Sequence, residues 1–384
     1  MKKSKNRGPA PVILLGLLLP VLIAFFAAGC RRKDPILAGA LLPQTGGLSG
    51  LAAEVENSLA LAVDGINKTG GINGREFRLI VRDTEMDPAA GIRAFEEIEG
   101  EYEPLFYISM VSINSVALAP VAERAKAPLF GLITTSSELT EGRKWVFRYY
   151  PDIRAELDPI FTIVKSLGLE SLGVIYSDEE WGKDMRREFT REVTSWSPKP
   201  RIASFPYPLT ADEFSSYVIR TASAEGIYIS GFAAHLEGLL DALERTGYAG
   251  IVLGPSTLTV PEIRRTGKAE GCYVAAPRIY SGEYPFTEEV KNRYEERYGK
   301  SFTHYGANAY DFVRLISSLL QDEEPTRRNL KALFDRGFTY SGILGLINVE
   351  PGERDITFPL FPARIEDGVI EYLAIEDEYR ENDE

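Results

Sequence analysis

Two short runs of hydroxyl-bearing residues carry the clearest chemical potential in this 384-residue chain. Ser112-Ile113-Asn114-Ser115 and Thr134-Thr135-Ser136-Ser137 each follow a short apolar stretch that is typical of a strand. In open α/β sheets, ligands bind outside the carboxyl ends of strands, where loops lead into helices. Hydroxyls beside the free amides of a helix N-terminus can hold a carboxylate or another acceptor group. Simple helix capping is the alternative, and we prefer it for Ser136 and Ser137.

Residue patterns that support catalysis or hold a metal are missing from the sequence. His235, His304, Cys30 and Cys272 show no metal-ligand spacing, and Cys30 has a different predicted use. The nearest approach to a nucleophile elbow, Gly47-Leu48-Ser49-Gly50-Leu51, lacks its final glycine. There is no HExxH, no Gly-Lys-Ser/Thr phosphate loop and no Gly-x-Gly-x-x-Gly after a strand. We therefore predict no enzymatic activity, no metal and no cofactor.

The N-terminus has the order of an export signal. Basic residues at positions 2 to 7 precede an apolar run from Val12 to Ala28, which ends at Gly29-Cys30. The small residues before Cys30 resemble a bacterial lipobox, in which the cysteine is diacylated and becomes the new N-terminus. An uncleaved membrane anchor is the alternative, but the basic residues 31–33 would then lie on the far side of the membrane. We predict a signal peptide over 1–29, lipidation at Cys30, a tether over 30–34, and an extracytoplasmic, membrane-anchored protein.

The charge balance argues against two classes of partner. The formal net charge is −13, and the first 29 residues contain no acid, so the exported part is more acidic still. Such a surface repels nucleic acid and anionic lipid headgroups. It is also typical of the solvated surface of a soluble protein, which agrees with 44% hydrophobic and 26% charged residues.

After Asp34 the chain alternates between apolar runs and amphipathic segments. Ile36 to Leu42 is typical of a buried strand, and the apolar residues from Leu51 to Ile66 recur at helical spacing. Further strands are predicted at Glu76–Arg82, Leu105–Ser109, Leu129–Ile133, Leu172–Tyr176, Ile227–Ser230, Ile251–Gly254, Tyr273–Ala276, Phe361–Glu366 and Val369–Ala374. Further helices are predicted at Ser115–Ala125, Arg154–Leu167, Lys183–Thr194, Leu236–Thr246, Phe286–Tyr298, Gly306–Leu320 and Thr326–Arg336. This order predicts an α/β protein with doubly wound parallel sheets.

The segment from Gly39 to Pro88 contains the most specific motifs. They are Gly39-Ala40-Leu41-Leu42-Pro43, Thr45-Gly46-Gly47, Leu61 to Asn67, Gly70 to Arg75, Arg82-Asp83 and Asp87-Pro88. Together they resemble the branched-chain amino-acid-binding (leucine/isoleucine/valine-binding) proteins of ABC importers. Shorter segments that match the family occur later in the same order, such as Ala119 to Glu123, Val146-Phe147-Arg148 and Tyr340-Ser341-Gly342. The resemblance extends from about Ile36 to Glu366. The resemblance implies a type I periplasmic-binding fold with two lobes joined by a three-segment hinge.

The resemblance also implies which residues meet the ligand. Ligand contacts of the family fall on Ser112, Thr134 and Thr135. Leu51 stands where the family often has a cleft-lining aromatic residue. The aromatic positions of the family's cleft correspond to Trp181, Phe232 and Tyr305.

Ser256 is also expected to contact the ligand, but it departs from the family pattern. Amino-acid binders of the family often carry an acid at this position, where it pairs with the ammonium group of the ligand. Since a buried charge without a partner is costly, an amino-acid ligand requires another carboxylate here. The candidates are Asp178, Glu180, Glu283 and Asp311. The ligand is therefore an amino acid held differently, or a carboxylate, amide or aromatic compound without the amine.

Residues 35–150 with 278–340 are predicted to form lobe 1, and residues 151–277 with 341–384 lobe 2. The three crossings are expected near Tyr149–Pro151, Pro277–Tyr280 and Ser341–Leu346. The resemblance implies a monomer that closes around a small-molecule solute and presents it to an ABC permease. A sensory receptor of the same fold is the alternative, and a hydrolase has no supporting residues.

Overall fold

The computed structural model describes residues 33–280 and 285–374. The predicted signal peptide, the lipidation site Cys30 and the candidate carboxylate Glu283 lie outside the described residues. Within them, every helix is too short or too polar to traverse a bilayer.

The first lobe is built on a six-stranded sheet in the order β13-β5-β4-β3-β1-β2. All neighbouring strands pair in parallel, so their carboxyl ends meet at one edge. The strands are β1 (Ile36–Leu42), β2 (Phe77–Asp83), β3 (Phe106–Met110), β4 (Leu129–Leu132), β5 (Val146–Tyr149) and β13 (Asp355–Ile356). Three helices alternate with these strands: α1 (Ser49–Lys68), α2 (Pro88–Tyr102) and α3 (Ser112–Ala125).

The second lobe is built on a seven-stranded sheet in the order β15-β14-β10-β9-β8-β6-β7. Five strands are parallel, and β14 and β15 add an antiparallel hairpin at one edge. The strands are β6 (Ser171–Ser177), β7 (Arg201–Tyr207), β8 (Gly226–Ile229), β9 (Ile251–Gly254), β10 (Tyr273–Ala276), β14 (Phe361–Glu366) and β15 (Val369–Tyr372). The helices are α4 (Ile153–Ser166), α5 (Glu180–Val193), α6 (Ser215–Thr221), α7 (Ala233–Thr246) and α8 (Pro261–Arg264).

The segment between β10 and β13 returns to the first lobe. It contains α9 (Pro285–Tyr298), α10 (His304–Leu319), α11 (Arg327–Asp335) and an antiparallel pair of strands, β11 (Phe338–Gly342) and β12 (Gly345–Val349). Short 3₁₀ turns occur at Ser137–Leu139, Ser256–Thr259 and Arg278–Tyr280. The apolar faces of α1 and α10 pack into one core with the first sheet.

The predicted third crossing at Ser341–Leu346 is wrong. Ile343, Leu344 and Ile347 are buried in the core of the first lobe, and β13 extends the first sheet beside β5. The chain therefore enters the second lobe only over residues 357–360, just before β14. The turn between β11 and β12 presents two adjacent apolar side chains, and in the folded protein they are buried against the first lobe.

Candidate ligand-binding site

A β-branched residue with a positive φ angle comes directly before each hydroxyl-bearing turn. Val111 has φ 59° and Ile133 has φ 52°, at the ends of neighbouring strands β3 and β4. Such a backbone is strained for β-branched residues, by about 1–3 kcal/mol each. It persists because the buried sheet on one side and the turn on the other fix it. Strained residues of this kind cluster at ligand sites, so these turns are candidates on geometry as well as on sequence.

A buried hydroxyl cluster lies beneath the two turns. Ser115 Oγ accepts hydrogen bonds from Ser109 Oγ at 2.9 Å and from Thr134 Oγ1 at 3.0 Å. All three side chains are fully buried. The Thr134 hydroxyl is thus used inside the lobe, which corrects the prediction that this side chain contacts a ligand. Its role is to join the two turns.

The outer layer of the turns is formed by Ser112 and Thr135, which are partly exposed. Ser112 Oγ accepts a hydrogen bond from the Ser136 amide at 3.4 Å, so the two turns touch. The first hydrogen bond of α3 runs from the Ser115 amide to the Val111 carbonyl, so the amides of residues 112–114 have no partner within the helix. With the hydroxyls of Ser112 and Thr135 beside them, these amides form a seat for an anionic or acceptor group.

The second lobe contributes an aromatic pair. The rings of Trp181 and Phe232 stack with centroids 6.3 Å apart and an interplanar angle of 27°. Trp181 lies at the start of α5 after β6, and Phe232 precedes α7 after β8. Because β6 and β8 are neighbours, the carboxyl ends of these strands bring the two rings together. Both side chains are partly exposed, so the pair forms a wall that can cover an apolar or aromatic group.

Tyr305 joins the two lobes. Its hydroxyl is 2.8 Å from the Thr257 hydroxyl, and its ring packs against the cores of both lobes. Tyr305 lies in the first turn of α10 on the first lobe, and Thr257 follows β9 on the second. Leu51 lies in the first turn of α1 after β1 and is partly exposed against the first core.

Ser256 is used inside the second lobe. It is 3% exposed, its amide donates to Glu156 Oε1 at 2.5 Å, and its hydroxyl donates to Glu156 Oε2 at 3.3 Å. The hydroxyl is therefore occupied, which corrects the prediction that the Ser256 side chain is free to contact a ligand.

Glu156 is the carboxylate that our sequence interpretation missed. It lies in the first turn of α4, is 7% exposed and, within the described residues, is affected by burial and by Ser256 and by no neighbouring cation. Burial raises the pKa of Glu156 to about 7, against the opposing effect of the hydrogen bonds from Ser256. One signal was available: Glu156 shares helical spacing with the buried Ile160 and Ile163, where an acid is out of place.

The carboxylates suggested from the sequence are used elsewhere. Asp178 is exposed and forms an ion pair with Lys183 at 3.1 Å, and Glu180 is exposed at the start of α5. Glu283 lies outside the described residues. Neither of the two described acids is a buried partner for a ligand cation.

Asp311 is a structural acid of the first lobe. It is 1% exposed on α10 and accepts hydrogen bonds from Tyr340 Oη at 2.9 Å, the Ile343 amide at 3.1 Å and Tyr149 Oη at 3.3 Å. Burial raises its pKa to about 6, although these donors favour the ionised form. Asp311 therefore anchors the turn between β11 and β12, and this candidate carboxylate is used within the first lobe.

A second missed acid lies beside Tyr305. Glu54 Oε1 accepts hydrogen bonds from the amide and hydroxyl of Thr303, both at 2.8 Å, and from the Gly306 amide at 3.1 Å. Burial raises the pKa of Glu54 to about 7, although these hydrogen bonds oppose the shift. The side chain fixes the N-terminal turn of α10 on which Tyr305 stands.

A groove of about 280 Å³ lies at the opposite end of the first sheet. It is lined by residues before and at the start of β1 and β3, including Pro35, Pro104 and Arg327. Because this groove is at the amino ends of the strands, it does not belong to the site formed by the hydroxyl-bearing turns.

Comparison with known proteins fixes the class of the protein. Residues 35–368 match the model of the family described as periplasmic binding protein, so the chain belongs to that family. It is therefore a binding protein of the periplasmic type, and the proteins of this family bind substrates and are not enzymes. Family membership implies an extracytoplasmic location.

Curated relatives include two substrate-binding proteins whose names point to different uses. A Leu/Ile/Val-binding protein homolog from Brucella melitensis is 26% identical over 311 residues, which cover 73% of this chain and 77% of that protein. A chemotactic signal transduction system substrate-binding protein from Halobacterium salinarum is 24% identical over 311 residues, covering 77% and 72%.

Solved structures share the fold at low identity. The solute-binding protein of an ABC transporter from Rhodopseudomonas palustris in complex with 3,4-dihydroxybenzoic acid superposes with a TM-score of 0.79 at 18% identity, covering 89% of this chain and 96% of that one. The branched-chain amino acid transporter substrate-binding protein from Streptococcus pneumoniae in complex with isoleucine gives 0.77 at 16% identity, covering 88% and 99%. These matches confirm the type I periplasmic-binding fold expected from the sequence.

Proposed function

We propose that this protein captures a small polar solute between its two lobes and presents it to an ABC importer. The supporting observation is the placement of two unlike surfaces at the carboxyl ends of the two parallel sheets. The first lobe offers the amides and hydroxyls around Ser112 and Thr135, and the second offers the Trp181–Phe232 pair. The Tyr305–Thr257 hydrogen bond joins the two lobes in this structure.

The solute has an acceptor group, most simply a carboxylate, for the turns of the first lobe. Its body packs against Trp181 and Phe232 of the second lobe. An amino-acid solute also needs an acid for its ammonium group, and we assign that role to Glu156, which lies behind Ser256. A carboxylate or aromatic acid without an amine leaves Glu156 without a cationic partner, so that burial keeps its pKa raised.

Native mass spectrometry of freshly purified protein tests the proposal, because a closed cleft retains its solute. The expected result is a bound compound below a few hundred daltons, together with a smaller radius of gyration in small-angle scattering when the site is saturated. A protein that retains no solute, and that does not compact with any of the amino acids or with 3,4-dihydroxybenzoate, contradicts the proposal.

We further propose that Cys30 is diacylated and holds the protein at the membrane. The support is the order of basic residues, apolar run and small residues that precede Cys30 in the sequence. Expression with a radiolabelled fatty acid tests this: the wild-type protein incorporates label and partitions into detergent, and Cys30→Ser does neither. Equal labelling of both proteins contradicts the anchor.

A sensory function is the second candidate, because one relative is named for a chemotactic signal transduction system. The two functions differ in what depends on the protein. Deletion of the gene abolishes uptake of the bound solute if the protein serves an importer. If the deletion leaves uptake intact but removes a behavioural or transcriptional response to that solute, the sensory function replaces the transport function.

A further inference from the structure

Arg148 is a buried cation next to the second hydroxyl-bearing turn, Thr134–Ser137, which we name the binding turn. It is the third residue of β5, is 1% exposed and is one of the largest fully buried side chains in the described residues. A guanidinium group is costly to bury unless its donors are matched by acceptors, so its partners show what it stabilises.

Two of these partners are main-chain carbonyls of the binding turn. Arg148 Nη1 donates to the Thr135 carbonyl at 3.1 Å, and Nη2 donates to the Ser136 carbonyl at 2.9 Å. The planar fork of an arginine fixes two acceptors in one geometry. Arg148 therefore sets the position of the backbone on which the Thr135 hydroxyl is carried.

The third partner belongs to the strand that leads to the second lobe. Arg148 Nε lies 3.2 Å from Asp355 Oδ1, and Asp355 stands opposite Arg148 in the pairing of β13 with β5. Asp355 also accepts a hydrogen bond from Thr140 Oγ1 at 2.9 Å, so it contacts the segment that follows the binding turn. One residue beyond Asp355, β13 ends and the chain crosses to the second lobe.

Arg148 is also close to the first crossing. β5 ends at Tyr149, and Asp152 caps α4 on the second lobe. Burial lowers the pKa of Arg148, whereas the charges of Asp355 and Asp152 oppose this shift, so the two acids beside two different crossings act on the same cation.

We propose that Arg148 is a positioning residue that couples the binding turn to the hinge through Asp355. The inference deepens the proposed function and rests on it. Movement of the crossing segments reaches the turn because one rigid side chain holds the two Thr135 and Ser136 carbonyls and the Asp355 carboxylate. By linkage, a solute that fixes the turn also favours one arrangement of the hinge.

The test compares Arg148→Met, Arg148→Lys and Asp355→Asn with Arg327→Met. Arg327 is a matched control, because it binds a carbonyl and a carboxylate on the same lobe, Pro104 and Glu99, at the opposite end of the sheet. Isothermal titration with isoleucine and with 3,4-dihydroxybenzoate, well below the melting temperature, measures affinity. We expect Arg148→Met to lower the affinity of whichever probe binds by about 10- to 100-fold.

Arg148→Lys keeps the charge but loses the fork, so its affinity falls as well. Asp355→Asn leaves the carbonyl contacts in place and still weakens binding, and its effect is not additive with that of Arg148→Met. Arg327→Met lowers the melting temperature but changes affinity by less than about 2-fold. Equal affinities of wild type and Asp355→Asn, or equal losses in Arg148→Met and Arg327→Met, overturn the proposal.

Hydrogen exchange without added solute gives an independent readout if the wild-type protein binds neither probe or if Arg148→Met does not fold. In Asp355→Asn and Arg148→Lys we expect faster exchange in peptides that cover residues 133–140 and 150–156, and unchanged exchange there in Arg327→Met. Faster exchange in the first peptide alone shows an isolated contact and overturns the coupling. A protein that binds no solute but shows the coupled exchange contradicts the proposed function and not the role of Arg148.

Discussion

The Ser256 amide donates a hydrogen bond to Glu156 Oε1 at 2.5 Å, which joins a loop at the end of β9 to the first turn of α4. The two residues are separated by 100 positions in the chain. This contact puts a buried acid directly behind Ser256, a position at which the resemblance to the family leads us to expect an acid. If Glu156 has the proposed role, both the ligand class and part of the pH dependence of stability are expected to depend on its protonation.

Glu156→Gln should alter how stability depends on pH. Because the folded protein raises the pKa of Glu156 to about 7 from 4.5, the folded state binds the proton more tightly than the unfolded state. The contribution of this group to the free energy of unfolding is therefore greatest below pH 4.5, falls as pH rises to about 7, and is then constant. We expect the free energy of unfolding, measured by chemical denaturation from pH 4 to 8, to fall by up to about 3 kcal/mol more in the wild type than in the variant. Parallel curves contradict the prediction.

Glu156→Gln should also distinguish an amino-acid ligand from an acid without an amine, because only the affinity for the amino acid should change. The variant removes the negative charge while an amide can still accept the hydrogen bond from Ser256. If the solute is an amino acid, its affinity should fall about 10-fold or more, because the ammonium group loses its partner. Binding of 3,4-dihydroxybenzoate should not change. Titration calorimetry with isoleucine and 3,4-dihydroxybenzoate measures both, and an amino acid bound equally well by the variant rules out the proposed role of Glu156.

Ser112→Ala together with Thr135→Ala should weaken solute binding by about 1–3 kcal/mol, through the loss of polar contacts at the turns of the first lobe. Ser137→Ala is the matched control, because Ser137 is exposed at the start of the following 3₁₀ turn. Titration with the solute identified by native mass spectrometry measures the difference. Unchanged affinity in the double variant would place the site elsewhere.

Tyr305→Phe should favour the open form of the protein. It removes the hydroxyl that forms the 2.8 Å contact with Thr257 across the lobes, at a cost of about 1 kcal/mol to the closed form. Tyr298→Phe is the control, since its hydroxyl bonds the Asn57 carbonyl within one lobe at 3.1 Å. Small-angle scattering and solute affinity report the change. A Tyr305→Phe protein with wild-type compaction and affinity shows that the contact does not hold the lobes together.

The sequence alone predicted the local features of the site. The hydroxyl-bearing turns after β3 and β4 follow from apolar runs that end in Ser and Thr, a pattern set by neighbouring residues. β7 was not predicted, because as an edge strand it is largely exposed and ends in Pro206-Tyr207, which gives no clear alternation. The third crossing was misplaced because no local sequence feature of the apolar turn between β11 and β12 indicates which lobe the turn packs against.

By itself, the sequence determined the α/β architecture and the strand ends that carry Ser112 and Thr135, because periodicity and turn chemistry act between residues close in the chain. Its resemblance to the family implied the positions of Trp181 and Phe232. Only the tertiary structure decided that Thr134 and Ser256 point inward, that Glu156 lies behind Ser256, and that Arg148 connects the binding turn to Asp355. These relationships join residues from different elements. They are fixed by how the sheets and helices pack, which determines the buried polar groups that must find partners.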